Sequence, residues 1–348
     1  MKRTMLFVLV VLGCFLVACA TSAPAPTQAP AVAPKAPSQS ALDSILEGAK
    51  KEGKLVVYAS YDTPQAEKIH GAFKKKYPFI EFEHAMLGAS AAATRITMES
   101  KAGTAGADVG LTGVNFVQPL VTDKLLRQVD WVGLGASQQV VDGPYLVTVA
   151  TITFPLTWNT NLVPKGQSPN TWEDMLDPKW KGVVGVWVSG EYFAYLVPAW
   201  GEGKVTDYVT KLMQNRAISI PQQPSVFDML AAGEISLAIG GNEGVLVRAQ
   251  QRGAPVAGIW AEPVPAVRYD CLIPTLAAHP NAAMLYCAWL ASPEGAAAYE
   301  NATGRGNAFV AGSPLAETLK GKKISTFSVD EMDKASVLIN KYVKMLQP

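Results

Sequence analysis

From residue 54 onward, short β-branched runs alternate with amphipathic helical stretches, and this alternation restricts the fold more than any other feature. The pattern predicts strands at 54–58, 79–83 and 107–111, with helices at 64–76 and 89–101. A long apolar run follows at 146–155. Further strands are predicted at 183–188, 218–220, 235–239, 256–260 and 270–275, and further helices at 281–291, 293–301 and 329–346. Strands separated by helices pair in parallel and are covered on both faces. So many strands exceed one sheet, and 160–260 reads as a separate βα unit inserted in a larger one. The expectation is an α/β chain of two lobes, each a mainly parallel sheet flanked by helices. Lobe 1 would comprise 41–152 and 266–348, and lobe 2 would comprise 153–265. The runs 146–155 and 256–275 are the expected crossovers.

The N-terminal segment has a different character. Lys2 and Arg3 precede an apolar run of about 13 residues, Met5 to Val17, shorter than the roughly 20 needed to span a bilayer. This is the layout of a secretory signal, assigned to 1–18. Leu16-Val17-Ala18-Cys19 resembles the lipobox of bacterial lipoproteins, which implies that Cys19 becomes the lipid-modified first residue of the mature chain. Residues 20–39 are Ala, Pro, Thr, Ser, Val and Gln with one charge, Lys35. Such a stretch cannot build a core, so 19–40 reads as a lipidated cysteine and a tether. At about 3.1 Å per residue in extended form it would reach roughly 60 Å. The chain is therefore expected to be exported and lipid-anchored to the cell membrane, facing the periplasm or the cell exterior.

The formal net charge of +1, without a basic run, gives no electrostatic case for a nucleic-acid partner. Beyond the signal region only Cys271 and Cys287 remain. An exported compartment permits a disulfide between them; two buried thiols are the alternative. No G-x-S-x-G elbow, Walker A loop, G-x-G-x-x-G or S-x-x-K occurs. The three histidines, His70, His84 and His279, have no metal-ligand spacing. His70 and His84 read as surface residues, and His279, before Pro280, as a turn residue. Neither an enzyme nor a bound cofactor or metal is expected.

Five turns sit between a predicted strand end and a helix start: Ser60-Tyr61-Asp62, Gly88-Ala89-Ser90, Gly113-Val114-Asn115, Ser189-Gly190-Glu191-Tyr192 and Gly240-Gly241-Asn242-Glu243. Ligands of doubly wound sheets bind beyond the carboxyl ends of the strands, where helix N-termini offer free N–H groups. Any one of these turns reads equally well as an ordinary N-cap; five in the same topological position argue for a cleft. The candidate ligand-binding residues are thus Ser60, Tyr61, Asp62, Ser90, Asn115, Ser189, Glu191, Tyr192, Asn242 and Glu243. Most are neutral donors and acceptors suited to a small polar ligand. Asp62, Glu191 and Glu243 would suit a cationic amine. Arg95 and Arg268 would suit a carboxylate or phosphonate, or would form structural pairs.

Several longer segments resemble the extracellular solute-binding proteins of ABC importers, in the group that includes ferric-ion-, thiamine-, polyamine- and phosphonate-binding members. They are Ala49-Lys-Lys-Glu-Gly-Lys-Leu-Val-Val-Tyr58, Phe73-Lys-Lys-Lys-Tyr-Pro78, Trp158-Asn-Thr-Asn-Leu-Val163, Thr171-Trp-Glu-Asp-Met-Leu-Asp-Pro-Lys-Trp-Lys-Gly182, and His279-Pro-Asn-Ala-Ala283 with Trp289-Leu-Ala-Ser-Pro-Glu-Gly295. The resemblance implies the two-lobed type II periplasmic-binding-protein fold, a monomer that closes on a small molecule or ion and delivers it to a membrane permease. The segment 172–180 itself reads as a short helix capped by Thr171 and stopped by Pro178, a scaffold with buried tryptophans. Ferric-binding members carry adjacent tyrosines where this chain has Gly240-Gly241-Asn242-Glu243. Iron would need another ligand set, drawn from Tyr61, Asp62, Glu191, Tyr192 and Glu243; a ligand-sensing lipoprotein for a membrane receptor is the other alternative.

Overall fold

The computed structural model describes residues 39–347, so the secretory signal, Cys19 and all but the end of the tether lie outside the described residues. Twelve strands form within them: β1 (Lys54–Ala59), β2 (Glu81–Met86), β3 (Val109–Gly113), β4 (Val141–Asp142), β5 (Leu146–Thr153), β6 (Leu156–Asn159), β7 (Val184–Trp187), β8 (Ile218–Ile220), β9 (Leu237–Ile239), β10 (Val256–Ile259), β11 (Val264–Leu272) and β12 (Ile324–Ser325). The helices are α1 (Gln39–Glu52), α2 (Thr63–Lys76), α3 (Ala89–Lys101), α4 (Gln118–Thr122), α5 (Glu191–Ala194), α6 (Val197–Trp200), α7 (Glu202–Gln214), α8 (Gln223–Ala232), α9 (Glu243–Gln251), α10 (Pro280–Leu290), α11 (Pro293–Thr303), α12 (Pro314–Thr318) and α13 (Met332–Leu346). No described helix is long and apolar enough to cross a membrane.

The strands build two sheets. The first has the order β2-β1-β3-β11-β5-β4, with β12 also on β11; the second has the order β10-β6-β9-β7-β8. Parallel pairing holds for β2-β1-β3 and for β9-β7-β8, where helices intervene in sequence. Both sheets are mixed, however, because β5 runs into β6 and β10 into β11 with no helix between. β11 pairs antiparallel with β5 from Ala266↔Thr153 to Leu272↔Leu146, and with β3; β6 pairs antiparallel with β10 and β9. The chain thus passes between sheets at 154–155 and 260–263. It passes a third time at the end: β12 belongs to the first sheet, whereas α13 packs on α5 and α7 beside the second. The segment 266–348, expected in lobe 1, thus includes a helix seated beside the second sheet. The striping of α13 buries Met332, Ala335, Leu338, Tyr342 and Leu346 on one side, and a helix with one apolar stripe rests on whichever surface completes that stripe. Here it is Phe193, with ring centroids 6.4 Å from Tyr342.

Cys271 on β11 and Cys287 on α10 are disulfide-bonded, with Cα atoms 5.7 Å apart. The 171–182 segment forms two 3-10 turns, Glu173–Leu176 and Pro178–Trp180, and no single helix. Asp174 accepts from the N–H groups of Asn170 and Thr171, and Trp172 is fully buried with its Nε1 donating to Pro263 O at 3.1 Å. His70 and His84 are not surface residues. His70 is buried, stacked at 4.0 Å on Phe82, and accepts or donates at 3.2 Å with the Tyr61 hydroxyl; His84 stacks on Tyr61 at 4.7 Å. The polar stretch of α2 hides this, since the aromatic neighbours of His70 come from β2 and α10. His279 does occupy a turn, with its N–H and Nδ1 both on Asp108.

Candidate functional site

The β1–α2 turn, the α9 helix and the end of α11 enclose a cavity of about 360 Å³. Its walls carry Ser60 and Asp62 from the turn, Gln65 from α2, Arg248 from α9 and Arg252 from its C-terminal cap, and Tyr299, Thr303 and Arg305 from α11 and the loop after it. The first-sheet and second-sheet units both contribute, so the cavity is a cleft between them. A second hollow of about 400 Å³ adjoins it and shares Gln65, Arg248 and Thr303. Local structure explains the positions. Asp62 caps α2 in a reciprocal box with Gln65, each side chain accepting from the other's N–H at 3.0 Å, and this fixes the turn that presents Ser60. Asn242 caps α9 through Val245 N–H at 3.0 Å. Residues four apart on a helix share a face, which aims Arg248 and Arg252 together. Gly304 holds a left-handed conformation (φ +74°) beside Gly244, 3.6 Å from where a Cβ would stand. That close approach brings Arg305 over α9.

Three guanidinium groups therefore converge. Arg305 donates to Ser60 Oγ at 3.5 Å and lies 5.7 Å from the Tyr269 ring centroid. Burial lowers the pKa of Arg248 below its ordinary value, and neighbouring Arg305 and Arg252 lower it further, with only Glu243 and Asp62 opposing. Burial likewise works against the charge of Arg305, but Tyr299, Tyr269 and Glu243 around it outweigh that effect. Behind Arg305 stands Glu243, 3% exposed; its Oε2 accepts from Thr153 N–H at 2.7 Å, while its Oε1 has no partner. Burial pushes its carboxyl up to about 8.

The ten sequence candidates do not assemble as one site. Ser60, Tyr61 and Asp62 line the cavity, but the Tyr61 phenol points into the first core, 3.3 Å from the Tyr286 hydroxyl. Ser90 and Asn115 line a different hollow between α3 and α4. Asn115 also donates to Glu191 Oε1 at 3.4 Å across the lobes, and burial pushes the Glu191 carboxyl up to about 7. Tyr192 is wholly buried, its hydroxyl donating to Trp187 O at 2.6 Å; it is a core residue. Asn242 is the α9 cap described above, with Nδ2 on Gln223. The Ser189-Gly190 turn is covered by α13: a Cβ at Gly190 would meet Val343 N at 2.7 Å. Glu243 supports the cavity from behind. Arg95 pairs with Glu99, and Arg268 with Thr148 and Gln139, so both are structural. Sequence reasoning missed Arg248, Arg252, Arg305 and Tyr299. The i, i+4 arginines following the Gly240-Gly241-Asn242-Glu243 turn, and Arg305 between two glycines, were the available signals.

The family model for bacterial extracellular solute-binding proteins matches residues 68–323, well over half of the chain. No curated protein matches the sequence. Among solved structures, the fold resembles iron-bound HitA from Pseudomonas aeruginosa (TM-score 0.64, 18% identity, covering 83% of this chain and 99% of that one). It also resembles the substrate-binding protein of an ABC transporter from Agrobacterium tumefaciens (0.68, 16%, covering 85% and 96%). A third likeness is the periplasmic binding protein AfuA from Actinobacillus pleuropneumoniae with fructose-6-phosphate bound (0.65, 22%, covering 84% and 98%). These likenesses give the two-lobed periplasmic-binding-protein fold. The chain belongs to the bacterial extracellular solute-binding protein family.

Proposed function

We propose that the protein captures a small anionic solute in the arginine-lined cleft and delivers it to the permease of an ABC importer. The convergence of Arg248, Arg252 and Arg305 on one cavity carries this reading. Like charges gathered in a half-buried space repel one another, and an anion accepting charge-assisted hydrogen bonds offsets that repulsion. A cavity of about 360 Å³ suits a metabolite-sized ligand. One structural neighbour carries fructose-6-phosphate and another carries iron. Three cationic side chains favour the anionic kind of cargo and repel a ferric ion. The phenols of Tyr61 and Tyr192, named as alternative iron ligands, are engaged inside the cores.

The ligand would bridge the lobes and shift the population towards closure. A shift from mostly open to mostly closed takes about 5.5 kcal/mol of differential affinity. We take the lobes to divide at 154–155 and 260–263, with α13 moving as part of lobe 2. A thermal-shift panel of phosphate esters, carboxylates, polyamines and ferric ion tests the ligand class. A ligand at about 100 times its Kd adds about 2.7 kcal/mol to stability, and only the anions should produce it. Stabilisation by polyamines alone would overturn the reading. The lipid on Cys19 is part of the same proposal: it would hold the receptor near its permease. Wild-type protein made in a bacterial host should partition into detergent, and Cys19→Ser should remain in the aqueous phase.

A further inference from the structure

Glu243 is a buried carboxyl that the capture of an anion does not explain. It is 3% exposed, and its Oε1 has no hydrogen-bond partner, while Oε2 is held by Thr153 N–H at 2.7 Å. An ionised carboxylate with one bare oxygen in such a place is costly, whereas a protonated one needs only to place a single O–H. The charged groups around it are few. Arg305 faces it from the loop after α11, and Arg248 from its own helix. The strand end of β5 offers the N–H and the hydroxyl of Thr153, and β10 (Val256–Ile259) carries no titratable side chain. Asp228 of α8 lines the outer groove beside Arg248 and Arg252, and Asp62 faces Arg248 across the cleft. Glu243 is thus the one carboxyl standing directly behind the guanidinium that an anion would engage.

We propose that the cleft binds a doubly charged anion, of the phosphomonoester or sulfate type, with Glu243 in its protonated form. The proposal rests on the reading of the arginine cavity as the ligand site. Three guanidinium groups against Asp62 leave two net positive charges in the cavity, which match a dianion. An ionised Glu243 would remove one of them and would compete with the ligand for Arg305. Burial, only partly opposed by its own backbone N–H, by Arg305 and by the N–H and hydroxyl of Thr153, already pushes the group up to about 8. A dianion close to Arg305 raises its proton affinity further, because like charges disfavour ionisation. Below about pH 7 the proton is in place before the ligand arrives. Above about pH 8 binding must take one proton from solution, and affinity falls with rising pH.

Sulfate is the suitable probe, since its own charge is constant across this range. Equilibrium dialysis with the wild-type protein should give an affinity that is flat from about pH 6 to pH 7. The affinity should then fall about fivefold between about pH 8 and pH 9, approaching tenfold per unit only above that. In Glu243→Gln, which keeps an acceptor for Thr153 and cannot ionise, the affinity should stay flat throughout. Calorimetry of the wild type at about pH 8.5, in two buffers of different ionisation enthalpy, should count about three-quarters of a proton taken up per sulfate bound, and needs no variant. Sulfate binding with no pH dependence, no proton uptake, or a slope retained in Glu243→Gln would overturn the role of Glu243 while leaving the anion site standing. Failure of sulfate to bind either protein at any pH would overturn the anion site, and this proposal with it.

Discussion

Arg305 is held charged before any ligand arrives: Tyr269, Tyr299 and Glu243 around it outweigh its burial, and Arg248 stands beside it. Hydrogen bonds to charged groups contribute about 1.5–3 kcal/mol, so Arg305→Gln should weaken anion binding by roughly 10- to 100-fold at neutral pH, as read by calorimetry. A second residue-scale consequence concerns His70. Burial, with His84 beside it, pulls its pKa down to about 3. The folded state then binds fewer protons than the unfolded state from about pH 6.5 downwards. Stability is fully present above the unfolded value and is lost as pH falls towards about 3, at up to about 1.4 kcal/mol per unit. His70→Phe should flatten the acid limb of a urea-denaturation series by one proton; an unchanged limb would show that His70 titrates normally. Neither residue's environment was legible in the sequence. Of the turns singled out at strand ends, the first places Ser60 and Asp62 on the cavity. The arginines were not singled out, because α9 and the loop after α11 come together only in the tertiary fold.

Among the elements, β5 and β11 set the architecture. The strand-helix alternation anticipated two sheets, yet β5 running into β6 and β10 into β11 carry the chain between sheets in opposite senses, so β5 pairs antiparallel with β11 and β6 with β10, which an alternation rule misses. The end of the chain is the other departure. The Ser189-Gly190 turn, expected in the cleft, is instead covered by α13, because Gly190 at φ +64° lets the α13 backbone approach. A Cβ there meets Val343 N at 2.7 Å and also has to sit in a left-handed conformation. Gly190→Ala should therefore destabilise the protein by about 2 kcal/mol or more, seen as a lower urea midpoint at constant slope. A neutral result would mean that α13 is not seated on this turn. The Cys271–Cys287 bond closes a loop with a sequence separation of 16. Loops of that length give about 3 kcal/mol, so reduction should lower Tm by several degrees; an unchanged Tm would remove the bond from the account of stability.

At the scale of the molecule, two sheets joined by two short crossovers flank a cavity that gathers Arg248, Arg252 and Arg305, and the proposed function takes that charge to suit an anion and not a ferric ion. Such a receptor should compact when the anion bridges Ser60 and Arg305 of one lobe to Arg248 of the other. The most direct measurement of the central claim is isothermal titration of an organic phosphate, a polyamine and a ferric salt into the wild type, Arg248→Gln and Arg305→Gln. The account predicts that only the phosphate binds and that both variants lose at least tenfold in affinity. Binding of the polyamine or iron alone, or phosphate binding unchanged in both variants, would contradict it.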